Sequence, residues 1–474
     1  MVKTLWMEEL KIKDLAVAEI SIDPICNLFF YGKRVLRAVK PAYEEQVQHM
    51  FDSGMMQELI DGGLFVETWI SDVKIEGFNL VMEHKRIEFW NYPYEWSFTM
   101  LRDAALVVLD TNKVANKYGY ELFDVHGNNM VFDMCKPVYI DFGSFFKVDP
   151  RNGKGWSGYL HFYNSFYMPL YLYKKGYYDL SQTIMLFHGY YSTKDLFLLR
   201  YRNARLFGTK VSDLIYKWFF NSRRLANARY FKVEEKFSDH KHASYIFKFK
   251  KFYQNKFSLN KAFRLMNGLK KSGFDSYWKN YHDEITPGKN ARFLRLAELI
   301  DTKLTDAKTM IELASNQGKF ANFVLENTHI EQMIATDYDK NALDHIYRNN
   351  KGSKKVLPLL YDFVRPNGRR IDTNIEERIK ADVVMALAVT HHLVLTQDIP
   401  LQHTFKVMER LTNKYVIVEF MPLGLYSGEE NVTPTLPDFY TLDWFKGIFS
   451  DHFTYIHDEK LEKNRHVFIG EIKH

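Results

Sequence analysis

The chain has 474 residues, of which 46% are hydrophobic and 26% charged; this length implies two or three domains, and the balance excludes both a disordered chain and a membrane-spanning one. A net charge of +6 over such a length does not by itself require nucleic acid. Cys26 and Cys135, the two cysteines, lie far apart and outside any Cys-x-x-Cys or Cys/His cluster, which excludes a disulfide framework and a structural zinc site.

No run of ~18 uncharged apolar residues occurs, and the first residues, MVKTLWMEELKIKD, lack the apolar core of a signal peptide, so a cytoplasmic protein without a transmembrane segment is expected. Arg34–Val39 reads as a strand, Tyr43–Ile60 has helical spacing, Leu64–Ile70 and Phe78–Glu83 read as strands, and Trp96–Val114 as a long amphipathic helix. FDVHGNNMVF then enters a strand from a loop, and KPVYIDFGSF is a second strand ending in a turn. From Trp156 to about Leu225 aromatic residues recur at helical spacing (WSGYLHFYNSFYMPLYLY), the pattern of packed helices.

Lys248–Lys271 carries eight Lys/Arg and no Asp/Glu, and the interdomain connection is placed there. Between Trp156 and Tyr281 the many aromatic residues are mixed with Lys, a mixture that suits a glycan or peripheral contact with a membrane surface. Lys241–Lys271 read as an RNA-binding surface is an alternative. A solvated helix with inward-packed aromatics is the plainer reading, so nucleic acid is not an expected partner.

After Lys308 strands and helices alternate: strand Thr309–Leu313, a Gly-bearing turn, helix Phe320–Asn327, strand Gln332–Thr336, an acidic turn, and helix Asn341–Asn349. Strands Val383–Ala388, Tyr415–Phe420 and His466–Ile472 follow, and the alternation predicts a mostly parallel, doubly wound sheet. In MIELASNQGKFANFVLEN a strand runs into a turn with Asn316 and Gly318, where the backbone can approach a nucleotide-like ligand. Asp337, about twenty residues on, ends the next strand, where a carboxylate accepts hydrogen bonds from ribose hydroxyls. Tyr361 and Asp362 close a third strand, and His391 and His392 follow the fourth. Either imidazole has an ordinary pKa suited to taking a proton from a hydroxyl nucleophile, or the pair packs or caps the strand end. Glu419 ends the next strand, as a functional or merely capping carboxylate.

This part of the chain resembles the class I methyltransferases, which carry an acidic strand residue, a Gly-bearing loop, and an acid after each of the second and third strands. Glu312, Ala314, Asn316 and Gly318 match the first motif, Asp337 the second and Asp362 the third. The resemblance implies a Rossmann-like domain binding S-adenosylmethionine through these residues, with one Gly where many relatives have two or three.

Upstream, Asp124 is followed at a spacing of five by Asn129 in DVHGNN, and Asp141 opens DFG after the strand PVYI. Phosphoryl transfer uses such a trio: a carboxylate beside the attacking hydroxyl, and an amide oxygen with a second carboxylate holding magnesium on the phosphates. The pattern resembles the aminoglycoside-phosphotransferase and protein-kinase superfamily. That implies a kinase-like fold using ATP and Mg2+, with Asp124 as base and Asn129 and Asp141 as metal ligands. Arg37 or Lys40 stands where these kinases put the phosphate-pairing Lys, and Glu58 where its ion-pair partner stands. Only Gly32 precedes Lys40, and Leu122 stands two before Asp124 in place of His.

Most of the chain, from HKRIEFWNYPYEWSFTMLRDAALVVLD through KPVYIDFGSFF to ELASNQGKFA and ALAVTHHL, resembles a bacterial family of two-part methyltransferases that includes nodulation proteins related to NoeA. The expectation is an α/β multidomain protein: a kinase-like domain with a helical C-lobe at 1–240, a basic-aromatic connection at 241–290 and a methyltransferase domain at 291–474. A bifunctional enzyme acting on a cell-surface glycan or its precursor would combine phosphorylation of a hydroxyl with methyl transfer. The alternative keeps the methyltransferase and makes the first domain a non-catalytic binding module.

Overall fold

A computed structural model of the chain describes residues 9–17, 23–148, 155–186, 258–269, 287–365, 375–426 and 435–473. The chain divides into two compact units: unit 1 is Met1–Arg86, Leu101–Val131 and Val138–Ser272, and unit 2 is Ile87–Met100, Phe132–Pro137 and Gly273–His474. The sequence places 87–100 and 132–137 in the first domain, whereas in the fold they belong to the second. Most of 241–290 and the helical reading beyond residue 186 lie outside the described residues. Among the described residues no helix is long and apolar enough to cross a membrane.

Unit 1 begins with strands β1 Glu9–Leu10, β2 Ala16–Val17, β3 Cys26–Tyr31, β4 Arg34–Val39, β5 Thr68–Ile70, β6 Lys74–Ile75 and β7 Val81–His84. β1 and β6 form a two-stranded parallel ladder, and the other five form a sheet in the order β2-β3-β4-β7-β5. A two-residue turn joins β3 to β4, with Tyr31 opposite Arg34; Gly32 supplies the positive φ (56°) that such hairpin turns require. Alternation along these strands turns Phe29, Leu36, Ala38 and Val81 into one apolar core. Between β4 and β5 the single predicted helix is two, Glu44–Asp52 and Met55–Asp61, because Gly54 adopts φ 83° between them. After the helix Phe98–Lys117, β8 Tyr120–Leu122 pairs with β11 Phe145–Lys147, and β9 Met130–Asp133 pairs with β10 Lys136–Tyr139.

Unit 2 is built on seven strands: β12 Thr309–Leu313, β13 Gln332–Asp337, β14 Val356–Leu360, β15 Ala381–Ala386, β16 Thr412–Phe420, β17 Phe453–Glu462 and β18 Arg465–Ile472. Their order is β14-β13-β12-β15-β16-β18-β17, parallel through the first five, with β18 antiparallel to both neighbours. This is a Rossmann-like α/β sheet. The parallel strands are apolar on both faces, and even β14 at the edge reads VLPLL, all buried, as expected of parallel strands covered on both sides. Strand order reverses between β12 and β15, and in open sheets of this kind ligands take the crevice at the carboxyl ends beside that switch.

The Ile87–Met100 segment is anchored within unit 2 by polar contacts. Asn91 donates to the Pro358 carbonyl of edge strand β14 (3.1 Å) and accepts from Trp96 Nε1 (2.8 Å), while the Thr99 N–H donates to Asp344 (2.9 Å). Glu95 and Arg378 form a buried bidentate pair, and Arg378 also donates to the Trp90 carbonyl (2.8 Å) and lies 4.5 Å over the Tyr92 ring. Phe132 adds an apolar anchor, edge-on to Trp96 and Tyr347.

Candidate functional site

At the carboxyl end of β12 the chain turns through Ala314, Asn316 and Gly318, all with positive φ (56°, 51° and 70°), before the helix Lys319–Asn327. Beside them, at the end of β15, Ala388 is also left-handed (φ 50°). Non-glycine residues held there store strain, which is concentrated here at neighbouring strand ends. A Cβ on Gly318 would lie 3.1 Å from Ile346, so this Gly serves close packing as well as the turn.

Asp337 ends β13 and reaches across to this turn. Its Oδ2 accepts the Asn316 N–H (2.7 Å) and its Oδ1 the Asp339 N–H (2.8 Å), and the Tyr338 N–H is a third donor to the carboxylate. Burial pushes its carboxyl up to about 7, opposed by those N–H donors. Glu312, also buried, is pushed up to about 8, chiefly by burial, while the Arg292 charge opposes the rise; its Oε2 has no hydrogen-bond partner. A buried acceptor without a partner beside a strained turn fits a polar, cation-bearing ligand such as S-adenosylmethionine.

Asp362 lies just past β14, where its carboxylate accepts from the N–H groups of Val364 (3.3 Å) and Arg365 (3.0 Å). His391 and His392 open the helix Thr390–Gln397 after β15, their rings 4.1 Å apart. Burial, then the charges of His392 and Arg465, push His391 down to about 3, so its imidazole is neutral and a weak proton acceptor; its buried Nδ1 has no partner. Burial also lowers the pKa of His392.

The sequence gives no sign of the ion cluster beneath. Glu419 is fully buried and accepts from Arg292 (2.6 and 2.8 Å) and from Arg465 (3.1 Å). Its role is therefore to hold β16, the helix Ala291–Lys303 and β18 together.

In unit 1, Asn129 Nδ2 donates to the Asp124 carbonyl (2.7 Å) and lies 3.3 Å from Asp141 Oδ2, so the predicted trio is one site. Ser144 Oγ also donates to Asp141. Mg2+ takes few protein ligands, and an amide oxygen with one carboxylate is a donor set of that kind, although Asn129 turns Nδ2 and not Oδ1 toward Asp141. Arg37 pairs with Asp23 and reaches Asp141 (3.4 Å). Lys40, past the end of β4, instead donates to the carbonyls of Asp23 (2.7 Å) and Pro24 (3.3 Å). Glu58 joins neither: the break at Gly54 turns it toward Lys117 and the Tyr118 hydroxyl (2.8 Å).

The Asp124 carboxylate lies between two imidazoles, 3.0 Å from His161 Nδ1 and 3.3 Å from His126 Nε2. Burial would raise its pKa, but the hydrogen bonds from His126 and His161 prevail and hold it well below the usual carboxylate range. Neither histidine was a candidate from sequence; His126 in DVHGNN was within reach of the motif, His161 was not.

No family model matches the chain. Nodulation protein NoeA of Rhizobium meliloti (strain 1021) is 27% identical over 422 residues, which cover 84% of this chain and 83% of that protein. Among solved structures, the N-methyltransferase NodS of Bradyrhizobium japonicum WM9 in complex with S-adenosyl-L-homocysteine is 9% identical with a TM-score of 0.31, over 41% of this chain and 93% of that one. The PH0226 protein of Pyrococcus horikoshii OT3 is 16% identical with the same TM-score, 0.31, over 42% of this chain and all of that one.

Proposed function

We propose that unit 2 is an S-adenosylmethionine-dependent methyltransferase. The observation that carries this reading is Asp337: a buried carboxylate at the end of the second strand of a switch-point sheet, bonded to the strained turn after the first. Its oxygens would accept the two ribose hydroxyls, Glu312 would face the cationic aminoacyl end, and Asp362 would meet the adenine amino group. When bound, the cofactor supplies an electrophilic methyl group on a sulfonium. His391, neutral and with an unpartnered Nδ1, would orient the acceptor, and His392 is the better placed of the two to take a proton.

Titration calorimetry with S-adenosyl-L-homocysteine tests this. Two hydrogen bonds to a charged acceptor are worth about 3 kcal/mol, so Asp337→Ala should weaken binding about 100-fold. Unchanged affinity would remove Asp337 from the site; no binding by the native chain would end the reading.

Unit 1 supports a second activity, transfer of a phosphoryl group from Mg·ATP to a hydroxyl, with Asp141 and Asn129 holding the metal, Asp124 beside the hydroxyl and Arg37 near the phosphates. Phe123, immediately before Asp124 and 40% exposed, offers an aromatic face suited to a sugar ring. The acceptor in this reading is a glycan or its precursor, for which the exposed Phe123 ring beside Asp124 is the support.

A further inference from the structure

We propose that His161, not Asp124, takes the proton from the hydroxyl at the unit 1 site, with Asp124 as its positioning residue; this rests on reading that site as a phosphotransferase. Both Asp124 oxygens are already engaged by imidazoles, one each by His161 and His126. A carboxylate on Nδ1 fixes the tautomer with the proton there, which makes Nε2 the basic atom and stabilises the imidazolium when it forms.

The two histidines are not equivalent. His126 turns Nε2 to Asp124, and its other nitrogen, Nδ1, is buried without a partner, out of reach of a substrate. His161 presents Nδ1 to Asp124, and its side chain is 47% exposed. The fold also spends contacts on bringing His161 there. Trp156 Nε1 donates to the Leu122 carbonyl (2.8 Å), and Gly158 packs so closely that a Cβ would lie 2.5 Å from that same oxygen and 2.7 Å from Val125. The Phe123 ring, 6.0 Å from the His161 ring, flanks the same side.

In the step, the acceptor oxygen forms a bond to the terminal phosphorus of a nucleoside triphosphate, and the bond from that phosphorus to the bridging oxygen breaks with its electron pair, releasing the diphosphate. The acceptor proton passes to His161 Nε2 and then to solvent. Water can stand in for the acceptor, giving slow hydrolysis.

The test uses the full chain with Mg·ATP as the probe, following phosphate release, Mg·ATP affinity by calorimetry and the His161 tautomer by nitrogen-15 NMR, with His161→Asn to assign the resonance. The native chain should show the Nδ1-protonated tautomer. His161→Ala should lose about 100-fold or more of the hydrolysis rate at unchanged Mg·ATP affinity, with part of the rate restored by added imidazole. Gly158→Ala should lose rate in the same sense. A native rate in His161→Ala, an Nε2-protonated tautomer, or a native chain that binds Mg·ATP without hydrolysing it would overturn the proposal. A native chain that does not bind Mg·ATP would instead overturn the phosphotransferase reading, and this inference with it.

Discussion

Asp124 of unit 1 and the buried carboxylates Glu312, Asp337 and Glu95 of unit 2 are held in opposite ways. Asp124 in unit 1 is 44% exposed in its side chain, and two imidazoles keep it ionised. In unit 2, Glu312, Asp337 and Glu95 are buried, and burial lifts all three above their ordinary range despite nearby guanidinium or N–H donors. The difference follows from desolvation: where water remains, hydrogen bonds decide, and where it is excluded, the charge itself becomes the cost. Unit 1 therefore has a site built for charge at neutral pH, and unit 2 a crevice whose charge depends on what enters it.

Removing one partner of a charge pair should separate the two regimes most sharply. Arg378→Ala leaves Glu95 buried and unpaired, for an expected loss of about 3–5 kcal/mol in denaturant unfolding of unit 2. Replacing both residues by apolar ones of similar volume should recover most of that loss. His161→Ala, by contrast, leaves Asp124 facing solvent and should cost under about 1 kcal/mol. Equal losses at the two positions would erase the distinction.

A smaller effect appears in the pH dependence. Glu312 has its folded pKa raised, so the stability linked to its protonated form is complete below its ordinary pKa near 4.5 and is lost as pH rises through about 8. Melting temperature should fall across that window, and Glu312→Gln should flatten the fall. An unchanged slope would assign it to Asp337, raised to about 7, alone.

What could be read from sequence follows the same division between local and distant causes. β12 and β18 come out within a residue of their predicted ends, because each carries a short buried apolar run, Met310–Ile311 and Val467–Ile469. β17 was missed: FTYIHDEKLE alternates poorly, and its strand character comes from pairing with β18. The trio Asp124, Asn129 and Asp141 was legible because eighteen residues contain it. Arg292, Glu419 and Arg465 were not, since their partners lie 127 and 46 positions apart. The same holds for Glu95 and Arg378, 283 apart, and so for the assignment of 87–100 to unit 2. Glu58 was lost for a local reason, one left-handed glycine that divides a helix.

The Gly-poor turn after β12 permits the finest test. Its sequence departs from the glycine-rich pattern it resembles, yet Ala314 and Asn316 adopt the left-handed conformation that glycine would take freely. For Ala that conformation costs roughly 1–2 kcal/mol, and Gly would return roughly 0.5–1 kcal/mol of this as lost unfolded-state entropy. Ala314→Gly should therefore stabilise unit 2 slightly, by about 0.5–1 kcal/mol, read as a melting temperature higher by about 1–4 °C. Asn316→Gly should bring no such gain, because Asn tolerates the left-handed region and its Oδ1 accepts the Gln317 N–H (2.8 Å). A lower melting temperature for Ala314→Gly would mean that the Ala methyl packs in the crevice, and that the turn is held by contact rather than against strain.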